Sequence, residues 1–183
     1  MRSKILRVFL LSLLLTLVLL IACGTTPPSL SDEEQDQVDI YAAVIRQLYT
    51  VDHTFGEPPN FPVVYLIRAT NDNVGDPDIP QNPSSLISGA IQESIVTVLD
   101  DLPTDFIWVD DRGEVPIDSS TGIVEGDGAI ITLGNIHYEG DRTVKVSASI
   151  YIANLAAGGL TYIIEYVYNE WRITGDTGVR WIS

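Results

Sequence analysis

Between Val144 and Ile152 apolar and polar side chains alternate without a break. Val144, Val146, Ala148, Ile150 and Ile152 take one set of positions, and Lys145, Ser147, Ser149 and Tyr151 take the other. Side chains of an extended strand point alternately to opposite faces, so this period confines the segment to a sheet with one buried and one wetter face. Its neighbours continue the theme. AIITLGNIHY (129–138) reaches it through a turn at Glu139-Gly140-Asp141. Ala156 to Gly159 reads as a small-residue turn into LTYIIEYVY, Asn169-Glu170 turns the chain into WRITGD, and Val179 to Ile182 adds a last short pairing.

The first half has a different texture. Ser31-Asp32-Glu33-Glu34 is a capping box, with Ser31 as N-cap and Glu34 three residues on. Val38, Tyr41, Ala42, Ile45, Leu48 and Tyr49 follow at spacings of three and four, one apolar stripe of an amphipathic helix. FPVVYLIRA (61–69) is a compact apolar run that reads as a buried strand. Residues 70–83 form a polar loop of Asn, Asp and Pro. Ser84 or Ser85 then caps a second helix running to about Asp101, with Ile87, Ile91, Ile95, Val98 and Leu99 on its apolar face. DFIWVD (105–110) is a short strand.

The order helix, strand, helix, strand and then a meander of long strands implies an α+β fold. Two helices pack on one face of a curved antiparallel sheet of about five to six strands. With its leading helix, its long hairpins and the ending YVYNEWRITGD, this order resembles the NTF2-like and cystatin-like superfamily, over most of residues 31–176. The resemblance implies a cone between helix and sheet that serves ligands, catalysis or assembly in different members. Tyr65, Trp108, His137, Tyr151 and Trp171 are the residues expected to line such a cone, with Tyr65, Trp108 and His137 the candidate ligand contacts. Large aromatics on strands are more often core than ligand platforms.

Three basic residues, Arg2, Lys4 and Arg7, precede a run from Val8 to Ala22 that is apolar except for Ser12 and Thr16. That length suits a signal-peptide core and falls short of the roughly 20 residues of a membrane span. Leu20-Ile21-Ala22-Cys23-Gly24 follows and resembles the bacterial lipobox; Ile21 stands where the family more often has Ser or Ala. The resemblance implies cleavage before Cys23 and diacylglycerol on its thiol. The expected organisation is a signal peptide over 1–22, a lipidated tether over 23–30 and one globular domain over 31–183. The chain would be held on the extracytoplasmic face of the cell membrane, or at an outer membrane where the host has one. Cys23 is the sole cysteine, which excludes an intrachain disulfide. The tether GTTPPSL reaches only about 25 Å when extended.

None of the 25 acidic residues precedes Cys23, so the segment from Cys23 onward holds them against seven basic residues, a net charge of −18. Such a surface repels nucleic acid, which excludes that class of partner. The membrane is the one expected partner, through the lipid on Cys23, beside an unidentified protein or small molecule.

Signals for chemistry are sparse. His137 could join Ser147 or Ser149 in a nucleophile arrangement, yet no Gly-x-Ser-x-Gly elbow marks either serine. Asn71, Asp72, Asn73, Asp76 and Asp78 crowd one loop, and Asp110, Asp111, Glu114 and Asp118 another. Oxygen-rich loops can hold calcium, but the 71–78 run does not match the order of a calcium loop, and Asp and Asn favour turns for local reasons. No phosphate-binding loop occurs, and no cofactor or resident metal is implied. The reading leans away from an enzyme and towards a binding or interaction domain. A ligand-binding or catalytic cavity and a calcium-stabilised surface module remain its rivals.

Overall fold

The computed structural model describes residues 30–53, 61–78 and 82–183. The expected signal peptide, Cys23 and the tether before Leu30 lie outside the described residues. No described helix is long and apolar enough to cross a membrane.

Helix α1 spans Asp32–Thr50. Its capping box is present as the sequence predicts: Glu34 N donates to Ser31 Oγ at 3.3 Å and Ser31 N donates to Glu34 Oε2 at 2.9 Å. The buried stripe holds all six expected residues and also Ile40 and Val44. It is wider than one contact face needs because α1 packs on the sheet and on a second helix together.

That second helix, α2, is shorter than its apolar pattern suggests. It spans Gly89–Val98, capped by Ser88 rather than by Ser84 or Ser85. Residues 84–87 are committed elsewhere: Thr70 N donates to Ser85 O, Ile87 N donates to Arg68 O, and Ala69 bridges Leu86. Ile91, Ile95 and Leu99 are buried, whereas Val98 is exposed. Arg46 of α1 grips Asp101 with both guanidinium arms, at 2.8 and 2.7 Å, and so ties the two helices at one end.

The strands are β1 (Val63–Ile67), β2 (Asp105–Val109), β3 (Ala129–Leu133), β4 (His137–Tyr138), β5 (Thr143–Ala153), β6 (Ala156–Val167) and β7 (Glu170–Ile182). All seven join one sheet of order β2-β1-β3-β5-β6-β7, with the short β4 pairing β5. The α+β class and the helices on one face match the expectation. The sheet is mixed, which corrects the expected all-antiparallel arrangement of five to six strands. β1 runs parallel to both β2 and β3. The reason lies in the connections: β1 reaches β2 through α2, and only a long crossover of that kind returns a strand in the same direction. Flanked on both sides, β1 is the one strand that reads as a continuous apolar run.

Two turns also shift. Ala156 to Gly159 belong to β6, and the turn lies at Asn154-Leu155, where Leu155 is exposed. Between β6 and β7 the turn residues are Tyr168 and Asn169, both with positive φ (54° and 64°), the signature of the tight hairpin turn whose twist suits antiparallel strands. β7 is a single strand where two short pieces are expected. It absorbs the mismatch as two irregularities, between its pairings with Leu160 and Tyr162 and between those with Ile163 and Ile164.

The main core fills the space between the helices and the sheet. Val38, Ile45, Leu48, Leu66, Ile95, Ile131, Val146, Ile150 and Ile164 are its members, each with no exposed surface. A smaller cluster sits on the opposite face, where the segment after β2 folds back and packs Val115 and Val124 on Val109 and Ile130.

Candidate functional site

The two faces of the sheet have opposite fates. Pairing registers place Ser147, Ser149 and Tyr151 of β5, Ile130 and Thr132 of β3, and Gly159 and Thr161 of β6 on the face away from the helices. On this back face two loops stand up from the sheet, and between them lies a cleft of ≈ 570 Å³. Ile67, Ile130, Thr132 and Ser149 line its floor. Thr70, Asn71, Asn73, Val74 and Ser84 form one wall, and Asp110, Asp111 and Arg112 the other, with Tyr151 and Trp181 beside them.

The first wall is held by a buried carboxylate. Asp72 opens a short 3-10 turn (Asp72–Val74) and is only 1% exposed. Its Oδ1 accepts from Asn135 N at 2.7 Å, and its Oδ2 accepts from Asn82 Nδ2 at 2.8 Å and from Asn135 Nδ2 at 3.2 Å. His137 Nε2 lies 2.9 Å from the same Oδ2 and donates to it when the carboxylate is ionised. Burial pushes the Asp72 carboxyl up, but the hydrogen bonds from Asn82, Asn135 and His137 outweigh burial and leave it below the usual carboxylate range. Thr70 Oγ1 adds a bond to Asn135 Oδ1 at 2.7 Å. Tyr41 reaches the same corner from α1, donating to Gly134 O at 3.2 Å; its phenol is pushed up by burial and by the nearby Asp72 charge.

Close approach of the wall to the sheet depends on Gly159. A Cβ there would meet Val74 O at 2.0 Å, and in its absence Trp181 Nε1 donates to Val74 O at 2.8 Å. The wall is therefore fastened at both ends, by Asp72 and by Trp181.

The second wall carries charge. Arg112 lies in a 3-10 turn (Arg112–Glu114), with its guanidinium 3.7 Å from the Tyr151 ring centre. Tyr151 is itself fixed, its hydroxyl donating to Gly122 O at 2.6 Å. Asp110 pairs with Arg68, and Asp111 Oδ1 caps its own turn by accepting from Gly113 N at 2.6 Å.

The three candidate contacts do not meet. Tyr65 is on the back face within the smaller cluster, and Trp108 is on the helix face, where its Nε1 donates to Gln92 O at 3.2 Å. His137 is 44% exposed and belongs to the Asp72 cluster. Trp171 sits on the helix side and donates to Asp36 Oδ1 at 2.9 Å, edge-on to Tyr166. Of the five residues expected to line a cone, Tyr151 lines the open cleft. Serine–histidine chemistry finds no support in the geometry. His137 pairs in register with Lys145, and Ser147 Oγ is engaged with Thr161 Oγ1 at 2.9 Å. The acidic loops are spent on local turns, with Asp76 accepting from Asp78 N and Asp118 from Ser120 N. Among the described residues no three metal-ligating side chains converge.

Sequence reasoning passed over Asp72 as a single residue, and also Arg112 and Trp181. The one available signal was the rarity of cations: Arg112 is among seven basic residues after Cys23 and stands inside the acidic run DDRGE. No protein-family profile matches the chain, and neither a curated protein nor a solved structure is similar to it.

Proposed function

We propose that the chain is an extracytoplasmic lipoprotein, anchored through Cys23, whose domain binds a small ligand in the back-face cleft without catalysing a reaction. The anchor half of the proposal rests on the lipobox-like LIACG and the basic, apolar segment before it. The binding half rests on one observation: the cleft contains polar groups with no protein partner. The hydroxyls of Thr132 and Ser149, half-buried on its floor, bond to no described side chain or backbone group. Unpartnered hydroxyls on the floor of a cleft of this size are groups to which a small ligand can bond. The leading helix and the β5–β6–β7 meander support the NTF2-like likeness, and the parallel β1 is where the chain departs from it.

Two measurements test the halves separately. Replacing Cys23 by Ser should move the protein from the membrane fraction to the soluble extracytoplasmic fraction; unchanged membrane retention would sink the anchor. For the cleft, a thermal-shift screen of the full chain in detergent micelles should show a small organic compound raising the melting temperature. The shift should vanish in Ser149→Trp, which fills the floor. A shift with Ca²⁺, reversed by chelator and untouched by Ser149→Trp, would instead favour a calcium-stabilised module.

A further inference from the structure

We infer that the cleft receives a free α-amino acid with an apolar side chain, its carboxylate on Arg112 and its ammonium on Asp111. This rests on the ligand-binding reading of the same cleft. The argument begins with the state of the cations. Arg46, Arg68, Lys145, Arg172 and Arg180 are each paired with a carboxylate. Arg112 and Arg142 make no ion pair among the described residues, and of the two it is Arg112 that lines the cleft. Its guanidinium rests on the Tyr151 ring, which fixes its plane and leaves its N–H edges free for the two-pronged grip a carboxylate matches.

Asp111 precedes it in the chain, yet the two do not neutralise each other. One Asp111 oxygen takes the Gly113 N–H and no cation pairs with the carboxylate. A cation and a carboxylate, neither with an ionic partner among the described residues, therefore line the same wall. An α-amino acid presents the same pair of charges, reversed, on a single carbon. Asp110 adds no net charge, because Arg68 neutralises it.

The rest of the cleft fits what lies beyond that carbon. Ile67 and Ile130 give the floor an apolar surface and Trp181 adds an aromatic one. The volume of ≈ 570 Å³ lies within the range of about 300–1,000 Å³ typical of small-ligand sites and accepts the largest side chains. Overall charge disfavours a net anion. A dipolar ligand with no net charge enters without opposing the field of the acidic surface, whereas a net anion would meet it.

The test uses the full chain in detergent micelles and three related probes: L-phenylalanine, N-acetyl-L-phenylalanine and L-phenylalanine amide. L-phenylalanine should bind saturably in calorimetric titration, and each blocked analogue should bind at least tenfold more weakly. In Arg112→Gln the preference over the amide should disappear, and in Asp111→Asn the preference over the N-acetyl compound. Equal affinity for all three probes in the wild-type protein would overturn the inference, and that comparison stands even where a substitution disturbs folding. If other organic compounds bind and are lost in Ser149→Trp while L-phenylalanine and L-leucine do not bind, the amino-acid assignment falls and the cleft reading survives. Silence from every compound removes both.

Discussion

The carboxylate of Asp72 and the imidazole of His137 lie 2.9 Å apart although 65 positions separate them. One is nearly fully buried and the other half-exposed, so the pair bridges the interior and the solvent at the corner where the cleft wall meets the sheet.

Asp72→Asn should destabilise the protein by about 2–3 kcal/mol near neutral pH. The change removes a charged acceptor and turns an N–H₂ towards the donors of Asn82 and Asn135. A carboxyl held below its unfolded value adds stability that is present above about pH 4 and is lost as pH falls through the folded value. Urea unfolding of the wild type at pH 5 and pH 3 should therefore show a larger loss than the same pair of measurements on the variant. Equal losses would mean that Asp72 does not titrate as the geometry requires.

Leu48→Ala should cost about 2–5 kcal/mol, because Leu48, on the buried stripe of α1, has no exposed surface and belongs to the main core. For a chain of this size that corresponds to a fall of roughly 5–15 °C in melting temperature. A fall of under 2 °C would show that the helix layer is loosely packed.

Gly159→Ala tests the fastening of the wall from the other side. The new methyl would lie 2.0 Å from Val74 O and also press on the Trp181 indole, so the wall must lift. Overpacking of this kind costs about 1–3 kcal/mol. Limited proteolysis mapped by mass spectrometry should show faster cutting within residues 70–84 and no change in α1. Unaltered cutting would indicate that the wall is held by the Asp72 cluster alone.

Ser31→Ala removes one half of the capping box and should lower stability by about 1 kcal/mol. Hydrogen exchange should quicken at the Glu34 amide, which loses its acceptor, while amides around Ile45 keep their protection. Uniform quickening along the helix would point to global unfolding rather than fraying.

Local signals in the chain carried most of the element assignments. The capping box and the three-four spacing located α1, and the period-two run from Val144 located β5, because these patterns depend on neighbours close in sequence. The errors arose where partners are distant. Nothing near residues 84–87 says that they pair with 68–70, so their sequence reads as part of α2. Nothing inside FPVVYLIRA says that its two flanking strands run parallel to it. The small residues Ala156 to Gly159 resemble a turn, yet they belong to a strand, and Gly159 makes room there for the loop at Val74.

The site was less legible still. The candidate aromatics suit a space between helix and sheet, which Leu48, Leu66 and their neighbours fill. The open space is on the other face, and its walls are turns whose Asp and Asn content reads from sequence as solvated loop. Asp72 shares its residue type and its neighbourhood with Asp76 and Asp78; only the fold separates the one that is buried from those that are not.

β7 measures the distance between two ends of the molecule. Near its start Trp171 is bonded to Asp36, in the opening turns of α1 and a few residues from where the described chain begins. Ten residues later Trp181 borders the cleft, a run of roughly 30 Å at the usual rise of a strand. A lipid on Cys23 would thus tie the chain nearer the Trp171 end of β7 than the Trp181 end, where the cleft lies.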